Sequence, residues 1–267
     1  MKSIILVLSF FLLNCKTEIK KEITTKPIEV TTEIPEVLDA DDLTKYLPER
    51  KNGDTLITHK FMVISYSRAL KNPEWAVYKL DKERVLSQNN ARRRNFEPDP
   101  ALQKGAAENW DYSDSGYDRG HIIPAEDMDF NEEAMHESFF MSNISPQLPE
   151  FNRGIWKKLE NAVRKNAAKR GDLIIISGSI FKDGELSEIN NGVAVPSHFF
   201  KVLLHEEDQK RSAIAFVLPH AESHENLSEF AMTVSEAEKI CGINFFHQFK
   251  ESTDFETVFN KEDWIIY

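Results

Sequence analysis

Tyr117-Asp118-Arg119-Gly120-His121, followed by Ser142-Asn143-Ile144-Ser145-Pro146-Gln147 and Phe151-Asn152-Arg153-Gly154-Ile155-Trp156, is the constellation on which the reading of this chain turns. The first segment lies between a turn-rich stretch, Asp111-Tyr112-Ser113-Asp114-Ser115-Gly116, and the apolar Ile122-Ile123-Pro124. It is therefore expected at a strand edge, with polar side chains facing a cleft. An imidazole titrates near neutral pH, and one flanked by a carboxylate and a guanidinium suits a general base beside an anionic group. The third segment opens a helix. Arg153 to Lys169 places Ile155, Trp156, Leu159, Val163 and Ala167 on one face with polar residues opposite, and Gly171 ends it. Asn152 stands at its start, and Glu160 follows a little over two turns later on the same face. An amide oxygen with a carboxylate beyond it is a set of hard donors suited to a hydrated divalent cation.

Outward from this centre, Lys60 to Tyr66 and Glu74 to Leu80 read as strands. Leu173 to Ser177, Gly192 to Leu204 and Ser212 to Leu218 are three more, each a β-branched or aromatic run bounded by Gly, Pro or Asp. A second helix is expected over Ser228 to Cys241, with the serine as its cap. Long strand runs with irregularly interspersed helices predict an α+β fold, a mostly antiparallel central sheet with flanking helices, in one domain over residues 55–267.

The chain has 267 residues, of which 41% are hydrophobic and 29% charged, a composition that argues against general disorder. Its net charge of −11 disfavours tight, static binding of a polyanion through bulk electrostatics, leaving transient engagement through a local basic patch. Lys2 precedes the apolar run Ile4 to Leu13, which is too short to span a bilayer. Leu12-Leu13-Asn14-Cys15 and the polar stretch after it look like a bacterial lipoprotein signal, although Asn14 departs from the usual small residue. The expected organisation is a signal peptide over 1–14 and a lipidated Cys15 with a flexible tether over 15–54, rich in Lys, Glu, Thr and Pro. The protein would then be exported and anchored to a membrane of the cell envelope; an ordinary secretory signal is the alternative. Cys241, in an apolar setting and without a partner if Cys15 is lipidated, reads as a buried structural thiol. His220 and His224 have a metal-ligand spacing, but Pro219 precedes them and a third ligand is not evident, so a surface loop is expected.

Further segments keep the same order along the chain. They are Asn72-Pro73-Glu74-Trp75-Ala76-Val77-Tyr78, Arg93-Arg94-Asn95-Phe96, Leu159-Glu160, and Val195-Pro196 with Phe200-Lys201-Val202. On these motifs, from about Lys60 to Val217, the chain resembles the sugar-non-specific DNA/RNA endonucleases. This is the ββα-metal or His-Me finger family of secreted bacterial nucleases and mitochondrial endonuclease G. The resemblance implies a ββα-metal motif with His121 as the general base that activates water, its other ring nitrogen held by a backbone carbonyl. It implies Asn152 as the single protein ligand of one Mg²⁺ or Mn²⁺ ion, with Asp118 and Glu160 acting on metal-bound water. Arg119, Arg94 and Arg164 become the phosphate clamps, and Arg153, Lys157 and Lys158 extend them into one basic surface. Helix capping for Asn152 and a plain solvated position for Glu160 are the bland alternatives. Asn143 and Gln147 could brace the turn beneath the site or take part in it. The implied activity is hydrolysis of DNA and RNA without sequence preference, leaving 5′-phosphate and 3′-hydroxyl ends. The competing reading is a non-catalytic surface lipoprotein that binds nucleic acid or a protein partner. Homodimerisation is left open.

Overall fold

Every strand at the centre of the main sheet is buried on both faces, which is why the sequence shows continuous apolar runs rather than a wet and a dry alternation. The computed structural model describes residues 43–50, 54–87, 95–102, 104–182, 184, 186–208, 210–249 and 254–267. Its strands are β1 (Thr55–Thr58), β2 (Met62–Ser67), β3 (Asn72–Leu80), β4 (Asp118–His121), β5 (Ile144–Gln147), β6 (Leu173–Ile180), β7 (Glu188–Ile189), β8 (Val193–Ala194), β9 (His198–Glu207), β10 (Lys210–Pro219) and β11 (Ala231–Met232). Seven form one sheet in the order β1-β2-β3-β6-β9-β10-β11, each neighbouring pair antiparallel. The pair β4–β5 forms a separate ribbon, and β7–β8 another. The helices are α1 (Lys82–Leu86), α2 (Glu132–Ser138), α3 (Pro149–Phe151), α4 (Lys157–Arg170), α5 (Val234–Cys241) and α6 (Asp254–Thr257), with a π-helical segment, Asn152–Trp156, joining α3 to α4. The expected α+β fold with an antiparallel central sheet is the fold observed. Among the described residues, no helix is long and apolar enough to cross a membrane.

The period of two sorts the strand side chains between two cores. On β3, Ala76, Tyr78 and Leu80 go to one face, while Trp75 and Val77 go to the other. On β9, Phe199 and Leu203 go with the first set, and Phe200, Val202 and Leu204 with the second. The helical run from α3 to α4 covers the first face with Phe151, Ile155, Trp156, Leu159, Val163 and Ala167. The second face is covered by Val234, Ala237 and Cys241 of α5, by Phe245, Phe246 and Phe255, and by Leu43 and Tyr46. Each such fully buried large side chain contributes about 1.5–3 kcal/mol.

Several expected boundaries move. Leu43 and Tyr46, placed in the tether, are buried, and Glu49 N–H donates to Asn244 O at 2.9 Å. The folded domain therefore begins before Thr55, because the last apolar residues of a polar stretch found an uncovered sheet face. The run Gly192 to Leu204 is two strands, β8 and β9, separated around Pro196, which has no N–H for a ladder. Ser228 does not cap α5. The cap is Thr233, whose Oγ1 accepts from Glu236 N–H at 3.2 Å while Glu236 Oε2 accepts from Thr233 N–H at 2.9 Å. Ser228 lies instead in a 3₁₀ turn, and Ala231–Met232 intervene as an edge strand. Nor is Asn152 at a helix start. The helical run begins with Pro149 at its first turn, and Asn152 N–H already donates to Leu148 O at 2.9 Å. Gly171, at φ +94°, ends α4 as expected, its N–H donating to Ala167 O at 2.9 Å.

Candidate active site

The ribbon β4–β5 pairs Asp118 with Gln147, Arg119 with Pro146, Gly120 with Ser145 and His121 with Ile144. Strand alternation sends Arg119 and His121 to one side, and both line an open cleft of about 290 Å³. Gly120 turns the other way, onto Gln147: a Cβ there would come within 2.2 Å of the buried Gln147 side chain. Only glycine lets the ribbon close over that amide. Asn143 holds the next turn, its Oδ1 accepting from Ile123 N–H at 2.9 Å and its Nδ2 donating to Ile123 O and Ser138 O, each at 2.9 Å. Asn143 and Gln147 are both wholly buried and away from the cleft lining, so they brace the ribbon.

Asn152 reaches the same cleft from the helical run. Its Nδ2 donates to Asp118 Oδ2 at 2.9 Å, which leaves Oδ1 as the end of the amide not committed to that carboxylate. Asp118 also receives a two-pronged pair from Arg153, Nε at 2.9 Å and Nη2 at 2.6 Å. The π-helical turn matters here. Gly154 (φ −99°, ψ −111°) departs from helical geometry, so the first turn is re-aimed relative to α4. Trp156 Nε1 then donates to His121 O at 3.4 Å and ties the helical run back to β4.

His121 is 9% exposed, its ring set between Phe96 (centroids 5.4 Å apart) and the edge of Phe139 (4.9 Å). Arg119 is steered by Asn109, which accepts from Nε through its side chain and from Nη2 through its backbone oxygen at 2.7 Å. The guanidinium also lies over Phe96 and Tyr112, at 5.9 and 5.6 Å. Glu160 lines the cleft yet is only 8% exposed. Burial, reinforced by Asp127 and Glu126 and opposed by Lys201 and Arg164, raises its carboxyl to about 7. The alternative of a plain solvated helix position for Glu160 does not fit this burial.

Beneath Glu160 lies a set of buried charges that the sequence reading did not assign. Lys201 is fully buried, its ammonium donating to Ile122 O at 3.1 Å and Ser177 Oγ at 2.9 Å, above the Trp156 ring at 4.5 Å. Burial lowers it to about 8, against the pull of Glu160 and Asp127. Asp127 accepts from Tyr78 Oη at 2.6 Å and from Arg164 Nη1 at 2.8 Å. Arg164 is a correction. Its Nη2 is taken by Asn161 at 2.6 Å and Glu126 at 3.5 Å, its side chain is 12% exposed, and it does not line the cleft. It balances Asp127 and Glu160 from below. Among the described residues, the basic ones lining the cleft are Arg119, Arg153 and Lys157, beside His121.

His220 is a second correction. It is not in a loose surface loop but closes the cluster of Phe151, Phe199 and Tyr117, at ring distances of 5.2, 5.1 and 6.0 Å. Leu148 N–H donates to its Nε2 at 2.7 Å, so the proton sits on Nδ1 and donates to Pro196 O at 2.8 Å. Both ring nitrogens are engaged, and burial lowers its affinity for a proton. It holds the residue from which the Asn152 helical run departs. His224 is exposed and near Glu222. Among the described residues, no three His, Cys, Asp or Glu side chains gather into a metal-holding group. The oxygen donors among the residues lining the cleft, the Asn152 amide and the Glu126 and Glu160 carboxylates, suit a hard cation that keeps most of its water. Cys241 is buried in the second core, as expected. Cys15 and Arg94 lie outside the described residues.

Known proteins share this arrangement of chain. The nuclease EXOG, mitochondrial, of Danio rerio is 36% identical over 200 residues, 69% of this chain and 58% of its own length. Nuclease 1, mitochondrial, of Schizosaccharomyces pombe is 35% identical over 212 residues, 72% of this chain and 65% of its own. The chain thus spans less than two thirds of these relatives. A chain in the crystal structure of the EndoG/EndoGI complex superposes with a TM-score of 0.67 at 30% identity, covering 74% of this chain and 87% of that one. The family model described as DNA/RNA non-specific endonuclease matches residues 39–252, which takes in the ribbon, the π-helical turn and the sheet that carries them. By that match, and by the relatives whose order of segments it keeps, the chain belongs to the DNA/RNA non-specific endonuclease family.

Proposed function

We propose that this protein hydrolyses phosphodiester bonds in DNA and RNA without sequence preference. The observation that carries the reading is the convergence of Arg119, His121, Asn152 and Glu160 on one cleft from two separate pieces of backbone. His121 takes a proton from water, the water oxygen bonds to phosphorus, and the bond from phosphorus to the 3′ oxygen breaks, that oxygen leaving with the bonding pair and taking up a proton from water. Phe96 and Phe139 restrict the imidazole ring to one orientation for that transfer. Asp118 holds the nitrogen end of the Asn152 amide, turning the oxygen toward cation duty, and Glu160 accepts from water at the cleft. One divalent cation, Mg²⁺ or Mn²⁺, would supply charge neutralisation at the phosphate and the leaving oxygen when bound there. Arg119, Arg153 and Lys157 form a local basic rim, so the substrate meets attraction at the cleft despite the net charge of −11. Recognition through phosphate alone fits an enzyme indifferent to sequence.

The test is plasmid nicking by the purified protein with and without chelator, beside His121→Ala. Nicking should need a divalent ion and fall by about 10²–10⁴-fold or more in the variant, the share a general base supplies. Full cleavage in excess chelator, or by His121→Ala, would end the proposal; binding without cleavage would favour the non-catalytic alternative. We further propose that Cys15 carries lipid and tethers the domain to a membrane of the cell envelope. Mass spectrometry of the native N-terminus decides it, since an unmodified Cys15 contradicts the anchor.

A further inference from the structure

We propose that Trp110 is a stacking platform for an unpaired nucleobase at the rim of the cleft. The proposal rests on the endonuclease reading of the same site. Of the four tryptophans in the chain, Trp75, Trp156 and Trp264 are 0%, 0% and 4% exposed, whereas Trp110 is 61% exposed. Its exposure is built rather than accidental. Trp110 sits in the 3₁₀ turn Asn109–Tyr112, closed by a capping box in which Glu108 N–H donates to Asp111 Oδ2 at 2.8 Å. Asp111 is held in turn by the Asn191 side chain, and its backbone oxygen accepts from Asn190 Nδ2 at 3.0 Å. Tyr112, on the inner side of the same turn, is 2% exposed and packs into a small core. A turn pinned on both sides therefore holds a large flat ring out in water.

The turn is also joined to the site. Asn109, the residue before Trp110, takes both arms of Arg119, and Arg119 lines the cleft beside His121. Trp110 follows Asn109 directly in the chain, so a strand whose phosphate meets Arg119 lies close to this turn. Every base has a π face, so an aromatic ring gains affinity for any of them without reading sequence. In a duplex those faces are covered by neighbouring base pairs, so the platform serves single strands and unstacked ends. The aliphatic side chains exposed elsewhere, such as Leu86 and Val258, offer no such face.

The experiment is titration of the full chain carrying His121→Ala with a short oligothymidylate and with a duplex of equal length, followed by tryptophan fluorescence. The three buried indoles emit as well, and Trp156 donates to His121 O, so the part of the emission change that is lost in Trp110→Phe is what reports Trp110. Oligothymidylate should quench it and the duplex should not. Trp110→Ala, its fold checked by circular dichroism, should weaken oligothymidylate binding by about tenfold, and more than it weakens duplex binding. Trp110→Phe should retain most of the affinity. Equal affinity in Trp110→Ala, binding without quenching, or no binding of the single strand would each overturn the platform. Failure of the platform alone leaves wild-type plasmid nicking intact, whereas failure of the endonuclease reading abolishes that nicking too.

Discussion

The two faces of the seven-stranded sheet come from the same strands, alternate residues of each, and among the described residues the cleft side carries the cluster of Lys201, Asp127, Glu160 and Arg164. Away from the cleft, Trp75, Val77, Ile174, Ile176, Phe200 and Val202 form an apolar row under α5 and its following aromatics. Toward the cleft, the same three strands contribute Tyr78, Ser177 and Lys201, and the helical run above adds Glu160 and Arg164, with Asp127 between. Burying an ion costs several kcal/mol unless it is paired. The apolar face holds the fold together; the charged face spends part of that stability on setting Glu160 and its surroundings.

Four perturbations break or sharpen this comparison. The largest effect is expected on the charged side. Asp118→Ala frees both the Asn152 amide and Arg153, and should raise the divalent concentration needed for half-maximal cleavage by about 10–100-fold, as loss of a ligand's supporting partner does. The melting temperature should barely move, and an unchanged metal requirement would remove Asp118 from this role. On the apolar side, Gly178→Ala should do the reverse. A Cβ there would lie 2.1 Å from Glu74 O and 2.6 Å from the Phe200 ring, so the sheet must shift. A loss of about 1–3 kcal/mol in denaturant unfolding is expected, with an unaltered pH profile of activity.

The third perturbation concerns pH. Burial raises Glu160 from an ordinary 4.5 to about 7, so the folded state favours its protonated form. Its contribution to stability is fully present below about 4.5 and is lost as pH rises through about 7. Lys201 has the opposite sign: burial lowers it from 10.5 to about 8, so its contribution is present above 10.5 and lost as pH falls through about 8. Glu160→Gln should therefore flatten the stability profile between pH 4.5 and 7, and a slope equal to the wild type would count against the buried network. The smallest effect is expected from His220. Burial keeps it neutral, so its contribution is present above its ordinary 6.5 and lost as pH falls through its lowered folded value. Protonation would put a hydrogen where Leu148 N–H now donates. Hydrogen exchange at the Leu148 amide should accelerate in acid before global unfolding does; exchange that tracks global unfolding alone would make His220 ordinary packing.

Much of this was legible in the chain. Runs of β-branched and aromatic residues marked five strands, Gly171 marked the end of α4, and the apolar spacing through Ile155, Leu159 and Val163 found its buried face, because each signal is local. Of the residues whose order was read as a site, Arg119, His121, Asn152 and Glu160 line one cleft and Asp118 bonds to Asn152 beside it. The misreadings share a different cause. Arg164 lies one turn beyond Glu160 and looked like a clamp, but helical spacing does not reveal that Asp127 and Glu126 approach from another segment. His220 looked solvated because Leu148 and Phe151 are remote in sequence.

The sequence by itself determined the fold class, the family and the candidate residues, since these rest on residue type, order and period. Only the tertiary structure decided which way those residues work. It buried Lys201 beneath Glu160, committed Arg164 to Asp127, turned Asn152 through Asp118 and a π-helical turn, and left Trp110 in water. The physical reason is that charge, desolvation and orientation depend on neighbours far along the chain, which come together only when both faces of the sheet have been covered.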